Sequence, residues 1–402
     1  MIQGRAILVV DLGNSSTKGC VLFGKNANTG LFRKRRFDIP NVFAPVQADY
    51  QVAAEYDSAT STILSVDTEL NGVPVKGLFC NGEVQMKERP LTTIKPSATS
   101  KKFDLVSTVL SYRLAFLFAC KEIMDMQRIS DWKQLDVSWT VVTLLPPGDL
   151  EIGQSKIKDI VMDIKSVDAT FPEVSVPIKV DDVKVLPEGY CAYTAVVYDE
   201  GRVFREDYKF LAGETVIIYD IGAGTTDCLI MQDNKLIQNS KYTVQQGGNN
   251  VFQLVRKKLQ LKGLDLSDDD IRNGVIKGYV KDGAKQIDIV DIVNESKDEI
   301  AQKIISAFQD FLELTDIRVR SVGYVLICGG GSMQDSDCEG IVPLSDKVVD
   351  NFKMMSPNAE LIEIPEHEVT KTNEDGEPYK TSERINPREL NLIGASILAE
   401  LF

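Results

Sequence analysis

Histidine is the scarcest reactive residue of this chain, since the 402 residues include only His367. Seven cysteines are spread along the sequence without a Cys-X-X-Cys pair. Zinc sites and Ser-His or Cys-His catalysis both rely on histidine placed beside other ligands or a nucleophile, so the composition argues against them. Several cysteines lie inside apolar strand patterns, which predicts small core residues in a reducing compartment.

The sequence also has few clustered basic residues and no long apolar run, which argues against direct binding to DNA or membrane. The net charge is −14, and binding to DNA or anionic membrane needs clustered Lys and Arg. The one basic run, Arg33–Arg36, is interpreted as a solvated strand or loop edge. The most apolar stretch, Leu114–Cys120, is far shorter than the ~18–20 residues of a membrane span, and the N-terminus has no signal-peptide pattern. We therefore expect a cytoplasmic protein that contacts neither nucleic acid nor membrane directly.

The strongest positive signal is a phrase that occurs twice. Residues 8–22 read LVVDLGNSSTKGCVL, and residues 217–230 read IIYDIGAGTTDCLI. Each copy predicts two strands joined by a tight hairpin that contains glycine. Glycine has no Cβ and readily adopts positive φ, so such a turn lets backbone N–H groups converge on an anion such as phosphate. The repetition predicts two similar domains with a ligand in the cleft between them.

Each copy also carries an aspartate at the end of its first strand, Asp11 and Asp220. Mg²⁺ prefers one or two carboxylates together with water and phosphate oxygens, so both side chains are candidate ligands through water. A single Asp-X-Gly hairpin is common in ordinary structural turns, but chance repetition in matching contexts is improbable. The candidate phosphate-binding residues are Gly13, Asn14, Ser15, Ser16, Thr17 and Lys18 in the first copy, and Gly222, Ala223, Gly224, Thr225 and Thr226 in the second.

These residues resemble the two phosphate-binding motifs of the actin superfamily, whose second motif is matched by Asp220–Asp227, DIGAGTTD. A third family motif, the glycine-rich adenosine loop, is matched by residues 325–333, VLICGGGSM. The resemblance implies an α/β, actin-like fold: two similar α/β domains with a duplicated mixed-sheet core and a nucleotide cleft between them. It places domain I at residues 1–186, completed by a C-terminal helix at 388–402, and domain II at residues 187–387.

The resemblance also implies roles for individual residues. Glu188, in the segment VLPEGY, corresponds to the family's residue that positions the attacking water, with Asp11 and Asp220 as its partners in catalysis. Lys18 would meet phosphate charge. Two further groups would contact the nucleotide: Gly247, Gly248, Asn249 and Asn250, and Gly329, Gly330, Gly331 and Ser332. The open alternatives are a solvated strand lysine at 18, a surface glutamate at 188 and a plain helix start at 247–250.

Within the superfamily, the motifs look most like the plasmid-segregating actins of the ParM type. The implied function is an ATPase that binds ATP or ADP with Mg²⁺ and polymerises with itself into filaments. Such filaments act on plasmid DNA through a DNA-binding adaptor protein, and the acidic composition fits the absence of direct DNA contact. The alternatives are a small-molecule kinase of the same superfamily, and a membrane-linked or other bacterial cytoskeletal actin homologue.

Patterning along the rest of the chain predicts further elements. The sequence predicts helices at 104–127, 249–261 and 298–315, a buried strand at 137–145, turns at 71–72 and 81–82, a surface excursion at 366–389 around residues 373–376, and a terminal helix at 390–402 packed on the protein.

Overall fold

The computed structural model describes residues 2–47, 50, 57, 60–82, 93–96, 100–237, 240–312, 317–332, 338–372 and 378–402. The chain divides into two compact units. The first unit comprises Met1–Cys191 and Ala395–Phe402, and the second comprises Ala192–Gly394. Each unit contains one of the two repeated phrases. The domain boundaries expected from the family resemblance, 186/187 and 387/388, stay a prediction.

The secondary structure follows the chain in this order. The strands of the first unit are β1 (Ile2–Leu12), β2 (Ser16–Lys25), β3 (Phe32–Pro40), β4 (Phe43–Val46), β5 (Ser61–Leu70), β6 (Val73–Gly82), β7 (Leu135–Leu145), β8 (Ser166–Phe171), β9 (Glu173–Pro177) and β10 (Lys179–Pro187). Its helices are α1 (Val106–Gln127), α2 (Leu150–Met162) and the start of α3 (Tyr190–Val197). The strands of the second unit are β11 (Thr215–Ile221), β12 (Thr226–Gln232), β13 (Lys235–Leu236), β14 (Tyr242–Val244), β15 (Tyr279–Asp282), β16 (Lys285–Asp288), β17 (Tyr324–Cys328), β18 (Glu360–Leu361), β19 (Glu366–Thr372) and β20 (Pro378–Arg384). Its helices are α4 (Gly248–Leu261), α5 (Asp268–Lys277), α6 (Val290–Leu312), α7 (Leu344–Lys353) and the first half of α8 (Leu390–Ala399).

The central sheets of the two units share one topology. In the first unit the strand order is β10-β7-β1-β2-β3, with β1 antiparallel to β2 and parallel to β7. In the second unit the order is β13-β12-β11-β17-β18, with β11 antiparallel to β12 and parallel to β17. The outer strands β10 and β18 are again parallel to β7 and β17. The predicted α/β fold with a duplicated mixed-sheet core is therefore confirmed.

Each sheet is covered by helices, which explains the apolar strand sequences. In the first unit, α1 is buried along almost its whole length and packs against β1, β2 and β5. Phe116 of α1 meets Trp139 of β7 edge to face, with ring centroids 5.6 Å apart. In the second unit, Tyr219 of β11 packs edge to face on Phe308 of α6. These aromatic contacts join helix to sheet inside each core.

Most predicted elements are confirmed. The strand predicted at 137–145 is β7, the helix at 104–127 is α1, and the turn at Asn71-Gly72 joins β5 to β6. The terminal helix α8 is packed on the protein, with Leu390, Ala395 and Ala399 fully buried. The basic run at 33–36 lies on the sheet-edge strand β3, as interpreted, but Lys34 is not solvated, because its side chain is 11% exposed and forms a 2.9 Å ion pair with Glu400.

Two predictions need correction. The turn predicted at Asn81-Gly82 is wrong, because both residues belong to β6 and the buried Asn81 side chain donates to the carbonyl groups of Pro40 and Val42. The helix predicted from residue 298 begins earlier, at Val290, whose N–H donates to the Asp288 carboxylate. The surface excursion predicted at 366–389 is not contradicted: the segment contains the separate β19–β20 hairpin, and residues 373–376 lie outside the described residues. None of the described helices has the length and hydropathy of a membrane span.

Candidate functional site

The first repeated phrase forms a two-residue hairpin turn at residues 14–15. The N–H of Gly13 donates to the carbonyl oxygen of Ser16 over 2.9 Å and closes the turn. Asp11 and Lys18 face each other across the two strands, and the Lys18 Nζ lies 3.4 Å from the Asp11 Oδ2. Both side chains are largely buried, so Lys18 is not the solvated strand lysine of the alternative interpretation.

The second repeated phrase forms the same turn at residues 223–224. The N–H of Gly222 donates to the carbonyl oxygen of Thr225 over 2.8 Å. Asp220 faces Asp227 across the strands, in the register that pairs Asp11 with Lys18 in the first hairpin. The repetition seen in the sequence is therefore a repetition of backbone geometry.

Glycine before each turn permits a close backbone approach, which is closer at Gly13 than at Gly222. A Cβ at Gly13 would lie 2.7 Å from the Ser16 carbonyl oxygen, and one at Gly222 would lie 3.2 Å from the Thr225 carbonyl oxygen. Neither glycine has positive φ. Of the two properties that suit glycine to such a turn, the missing Cβ and not positive φ is therefore the one used here.

The carbonyl groups of the first turn are held by one asparagine. Asn41 donates its side-chain Nδ2 to the Gly13 carbonyl over 2.8 Å and its backbone N–H to the Ser15 carbonyl over 3.0 Å. Its own Oδ1 accepts a 2.7 Å bond from the Ser111 hydroxyl. Asn41 follows β3 and belongs to no sequence motif, so no local sequence signal identifies it as a support of the turn.

In the second turn, backbone N–H groups take the place of the asparagine. Gly248 donates its N–H to the Gly222 carbonyl over 3.0 Å, and Asn249 donates its N–H to the Ala223 carbonyl over 2.6 Å. A Cβ at Gly247 would lie 2.6 Å from the Gly222 carbonyl oxygen. The Asn250 side chain accepts the Gly247 N–H and completes the start of α4. Residues 247–250 therefore both start a helix and support the second turn.

These bonds determine the direction of the amide groups in the turns. In a trans peptide the N–H points away from the preceding C=O. The carbonyl groups of residues 13, 222 and 223 point toward the groups that bind them. The N–H groups in the same peptide units, those of Asn14, Ala223 and Gly224, therefore point in the opposite direction. Within the described part of the chain, these three amides donate to no carbonyl and to no side chain. Each turn thus offers oriented donors of the kind that bind phosphate.

Glycine-rich residues after β17 also support the second turn. A Cβ at Gly331 would lie 2.1 Å from the Gly222 carbonyl oxygen, and the Gly331 N–H donates to the Ile221 carbonyl over 2.7 Å. Gly329 has φ +88, and a Cβ there would lie 2.3 Å from the Asp220 Oδ1. Gly330 is exposed, whereas Ser332 is buried with its hydroxyl bonded to the Gly329 carbonyl over 2.6 Å. The structure therefore brings residues 329–332 and 247–250 to the second turn.

The aspartates have the surroundings of candidate Mg²⁺ ligands. Asp11 and Asp220 are 6% and 7% exposed. Asn391 of α8 donates to the Asp220 Oδ2, and the Thr243 hydroxyl donates to the Asp227 Oδ1. Among the described residues there is no group of three or more side chains that could hold a metal alone. The donors present fit Mg²⁺, which binds through one or two carboxylates, water and phosphate.

Glu188 lies between β10 and α3. Its side chain is buried, so the alternative of a surface glutamate is wrong. Its N–H donates to the Leu145 carbonyl over 2.9 Å, and its Oε1 lies 2.6 Å from the Nζ of Lys102. Burial raises the pKa of the Cys191 thiol well above its ordinary value, and the negative charges of Asp11 and Glu188 raise it further. The thiol is therefore protonated, and these two carboxylates act on the same small region of the first unit.

Comparisons with known proteins agree on the architecture. Residues 218–335 match the family described as archaeal actin homologue MreB-like, C-terminal. No curated protein matches the chain. The chain is similar to the archaeal actin homologue Ta0583, at 16% identity over 99% of this chain and 100% of the other, with a TM-score of 0.64. The chain is also similar to a ParM from a 15-stranded Clostridium botulinum filament, at 16% identity over 99% of this chain and 100% of the other, with a TM-score of 0.64.

A third solved structure extends the agreement. The actin-like protein Alp7A is 17% identical over 100% of this chain and 97% of its own, with a TM-score of 0.64. At these identities the likeness demonstrates a shared fold, and the fold agrees with the duplicated sheets and repeated hairpins described above. The chain therefore has an actin-like fold.

Proposed function

We propose that the protein binds Mg-ATP and Mg-ADP through its two hairpin turns. The observation that carries this proposal is the orientation of the Asn14, Ala223 and Gly224 amides, each fixed because a neighbouring carbonyl is bound from behind. Oriented N–H groups suit phosphate oxygens, and Lys18 adds positive charge beside the first turn. Two solved relatives support the ligand, Ta0583 in complex with ADP and Bacillus thuringiensis ParM with AMPPNP.

The proposed reaction is ATP hydrolysis, with Glu188 orienting the attacking water. Phosphoryl transfer depends mainly on positioning and charge stabilisation, so one fixed carboxylate is sufficient for that role. Bound Mg²⁺ would supply positive charge to the phosphate oxygens, and Asp11 and Asp220 would hold it through water. The expected nucleotide cleft between the two domains stays a prediction.

We further propose that ATP drives polymerisation into filaments, and that the filaments segregate plasmid DNA through a DNA-binding adaptor. The ParM filament among the similar structures supports self-association. The net charge of −14 favours an adaptor over direct DNA contact. In this proposal ATP favours a conformation that matches a neighbouring subunit, and loss of the γ-phosphate reverses the preference. The proposed location is the cytoplasm.

The binding proposal is tested by thermal melting with Mg-ATP. A ligand at 100 times its Kd stabilises the folded state by about 2.7 kcal/mol, so the wild type should melt at a clearly higher temperature. Asp11→Asn and Asp220→Asn should lose most of this gain because each removes a carboxylate. Asp67→Asn, at an exposed ion pair with Lys76, is the matched control and should keep it. A wild-type melt that millimolar Mg-ATP leaves unchanged would contradict the proposal.

Hydrolysis and assembly are tested together with Glu188→Gln. Phosphate release should fall by about 10²-fold while ATP affinity stays near the wild-type value, since the change removes the base and keeps the shape. Light scattering should then show assembly with ATP but no disassembly. Wild-type release rates in the variant would show that Glu188 is the wrong carboxylate. Flat scattering of the wild type with ATP and with a non-hydrolysable analogue would refute the filament.

A further inference from the structure

Lys102 forms an ion pair with the glutamate to which hydrolysis is assigned. Its Nζ lies 2.6 Å from the Glu188 Oε1, and only 16% and 10% of the two side chains are exposed. Lys102 lies 86 residues before Glu188, in a 3₁₀ turn that precedes α1. It belongs to none of the three nucleotide motifs.

The backbones of both partners are held in place. The Lys102 carbonyl accepts a 2.5 Å bond from the Thr108 hydroxyl of α1 and a 3.3 Å bond from the Leu105 N–H. On the other side, the Glu188 N–H is bonded to the Leu145 carbonyl at the end of β7. A short ion pair between two anchored segments restricts the rotation of the carboxylate more than a pair on flexible loops would.

A carboxylate that activates water beside a polyphosphate meets two difficulties. It can rotate among several orientations, and its negative charge is repelled by the phosphate groups. A lysine that binds one carboxylate oxygen reduces both, because it fixes the plane of the group and makes the pair neutral overall. Small errors in such positioning cost large factors in rate.

We propose that Lys102 is a positioning residue for hydrolysis, which holds the Glu188 carboxylate in the orientation that directs the attacking water. The proposal rests on the proposed ATPase function. It differs from a purely structural ion pair in one respect: loss of Lys102 lowers the rate of the chemical step and leaves ATP binding unchanged.

The experiment measures steady-state phosphate release against Mg-ATP concentration for four proteins. Lys102→Met should lower kcat by about 10- to 100-fold with KM for ATP within about twofold of the wild type. Lys102→Arg should recover most of kcat, because it restores the charge and the hydrogen bond. Lys101→Met is the matched control: the neighbouring lysine pairs with Asp149, is 58% exposed, and should leave both constants unchanged.

The outcomes separate the alternatives. Wild-type kcat in Lys102→Met, or a KM that rises as kcat falls, would refute the positioning role while the ATPase proposal stands. Absence of phosphate release by the wild type would refute both.

A buried glutamate without its lysine can prevent folding, so a second comparison uses the double variant Lys102→Met/Glu188→Gln, which removes both charges. If Lys102 acts through Glu188, this variant should have the same kcat as Glu188→Gln alone. A further tenfold loss would mean that Lys102 acts on its own, and would overturn the proposal.

Discussion

Two adjacent glycines after β17 provide a test of how the second turn is supported. Gly331 is buried, and a Cβ there would lie 2.1 Å from the Gly222 carbonyl oxygen and 2.8 Å from the Ile221 carbonyl oxygen. Gly330 is exposed, and its Cβ would come no closer than 3.4 Å, to the flexible side chain of Arg388. The same substitution at neighbouring positions therefore meets fixed backbone in one case and an ordinary contact in the other.

The expected cost of Gly331→Ala follows from these distances. The new methyl group must move about 1 Å from the Gly222 carbonyl, and overpacking of this kind costs about 1–3 kcal/mol. The 2.7 Å hydrogen bond from the Gly331 N–H to the Ile221 carbonyl would be weakened, which adds about 1 kcal/mol. Reduced entropy of the unfolded chain returns about 0.4–1 kcal/mol. We expect a net loss of about 2–3 kcal/mol for Gly331→Ala and little change for Gly330→Ala.

Thermal melting and nucleotide binding measure the effect. For a domain of about 200 residues, 1 kcal/mol corresponds to about 2–4 °C, so Gly331→Ala should melt about 5–10 °C below Gly330→Ala. The displaced Gly222 carbonyl and the Ala223 N–H belong to one peptide unit, so this proposed phosphate donor would be turned as well. Stabilisation of the protein by Mg-ATP should therefore also decrease. Equal melting temperatures for the two variants would refute the claim that Gly331 supports the turn by close backbone contact.

Other buried groups yield further predictions. Tyr219→Phe should stabilise the protein by up to about 1 kcal/mol, because the Tyr219 hydroxyl is buried without a hydrogen-bond partner among the described residues. Tyr112→Phe should destabilise the protein by about 1 kcal/mol, because the Tyr112 hydroxyl is hydrogen-bonded to Thr143 over 2.6 Å. Urea denaturation measures both changes, and the reverse order of stability would contradict the assignment. Lys297 is buried with its Nζ 2.9 Å from the Val342 carbonyl, and burial lowers its pKa to about 8 from 10.5. The folded state therefore loses this proton at a lower pH than the unfolded chain does. The stability of the wild type relative to Lys297→Met should then rise by about 2 kcal/mol from about pH 7.5 to about pH 10. A stability difference that does not change with pH would contradict this prediction.

The sequence predicted those parts of the fold that local patterns encode. Both hairpins, β7 and α1 follow from apolar periodicity and from turn residues within a few positions of one another. The duplicated phrase predicted the shared sheet topology, because the same local sequence forms the same hairpin register in each unit. The start of α6 was misplaced because Asp298 resembles a helix start as much as Asp288 does.

The supporting residues could not be predicted, because they reach the turns from distant parts of the chain. Asn391 donates to an aspartate 171 residues earlier, and Asn41 donates to Gly13 from the far end of β3. Lys102 follows no motif at all. A single polar residue at the end of a strand or in a short turn has the same local appearance whether it is solvated or bonded to a functional loop. Only tertiary structure distinguishes these cases.

The two hairpins share their backbone and differ in the residue opposite the aspartate. In the first, Lys18 faces Asp11, and opposite charges across a strand pair are mildly favourable. In the second, Asp227 faces Asp220, and like charges directly opposite are unfavourable. Hydrogen bonds from Asn391 and Thr243 partly offset this repulsion.

Like charges opposite each other in an otherwise regular sheet are expected at functional positions, where residues are selected for their chemistry at some cost in local stability. A pair of carboxylates attracts a cation, whereas an Asp-Lys pair balances its own charge. In the proposed Mg-nucleotide complex, the asymmetry would make Asp220 the stronger of the two candidate Mg²⁺ ligands, because the charge of Asp11 is already balanced by Lys18.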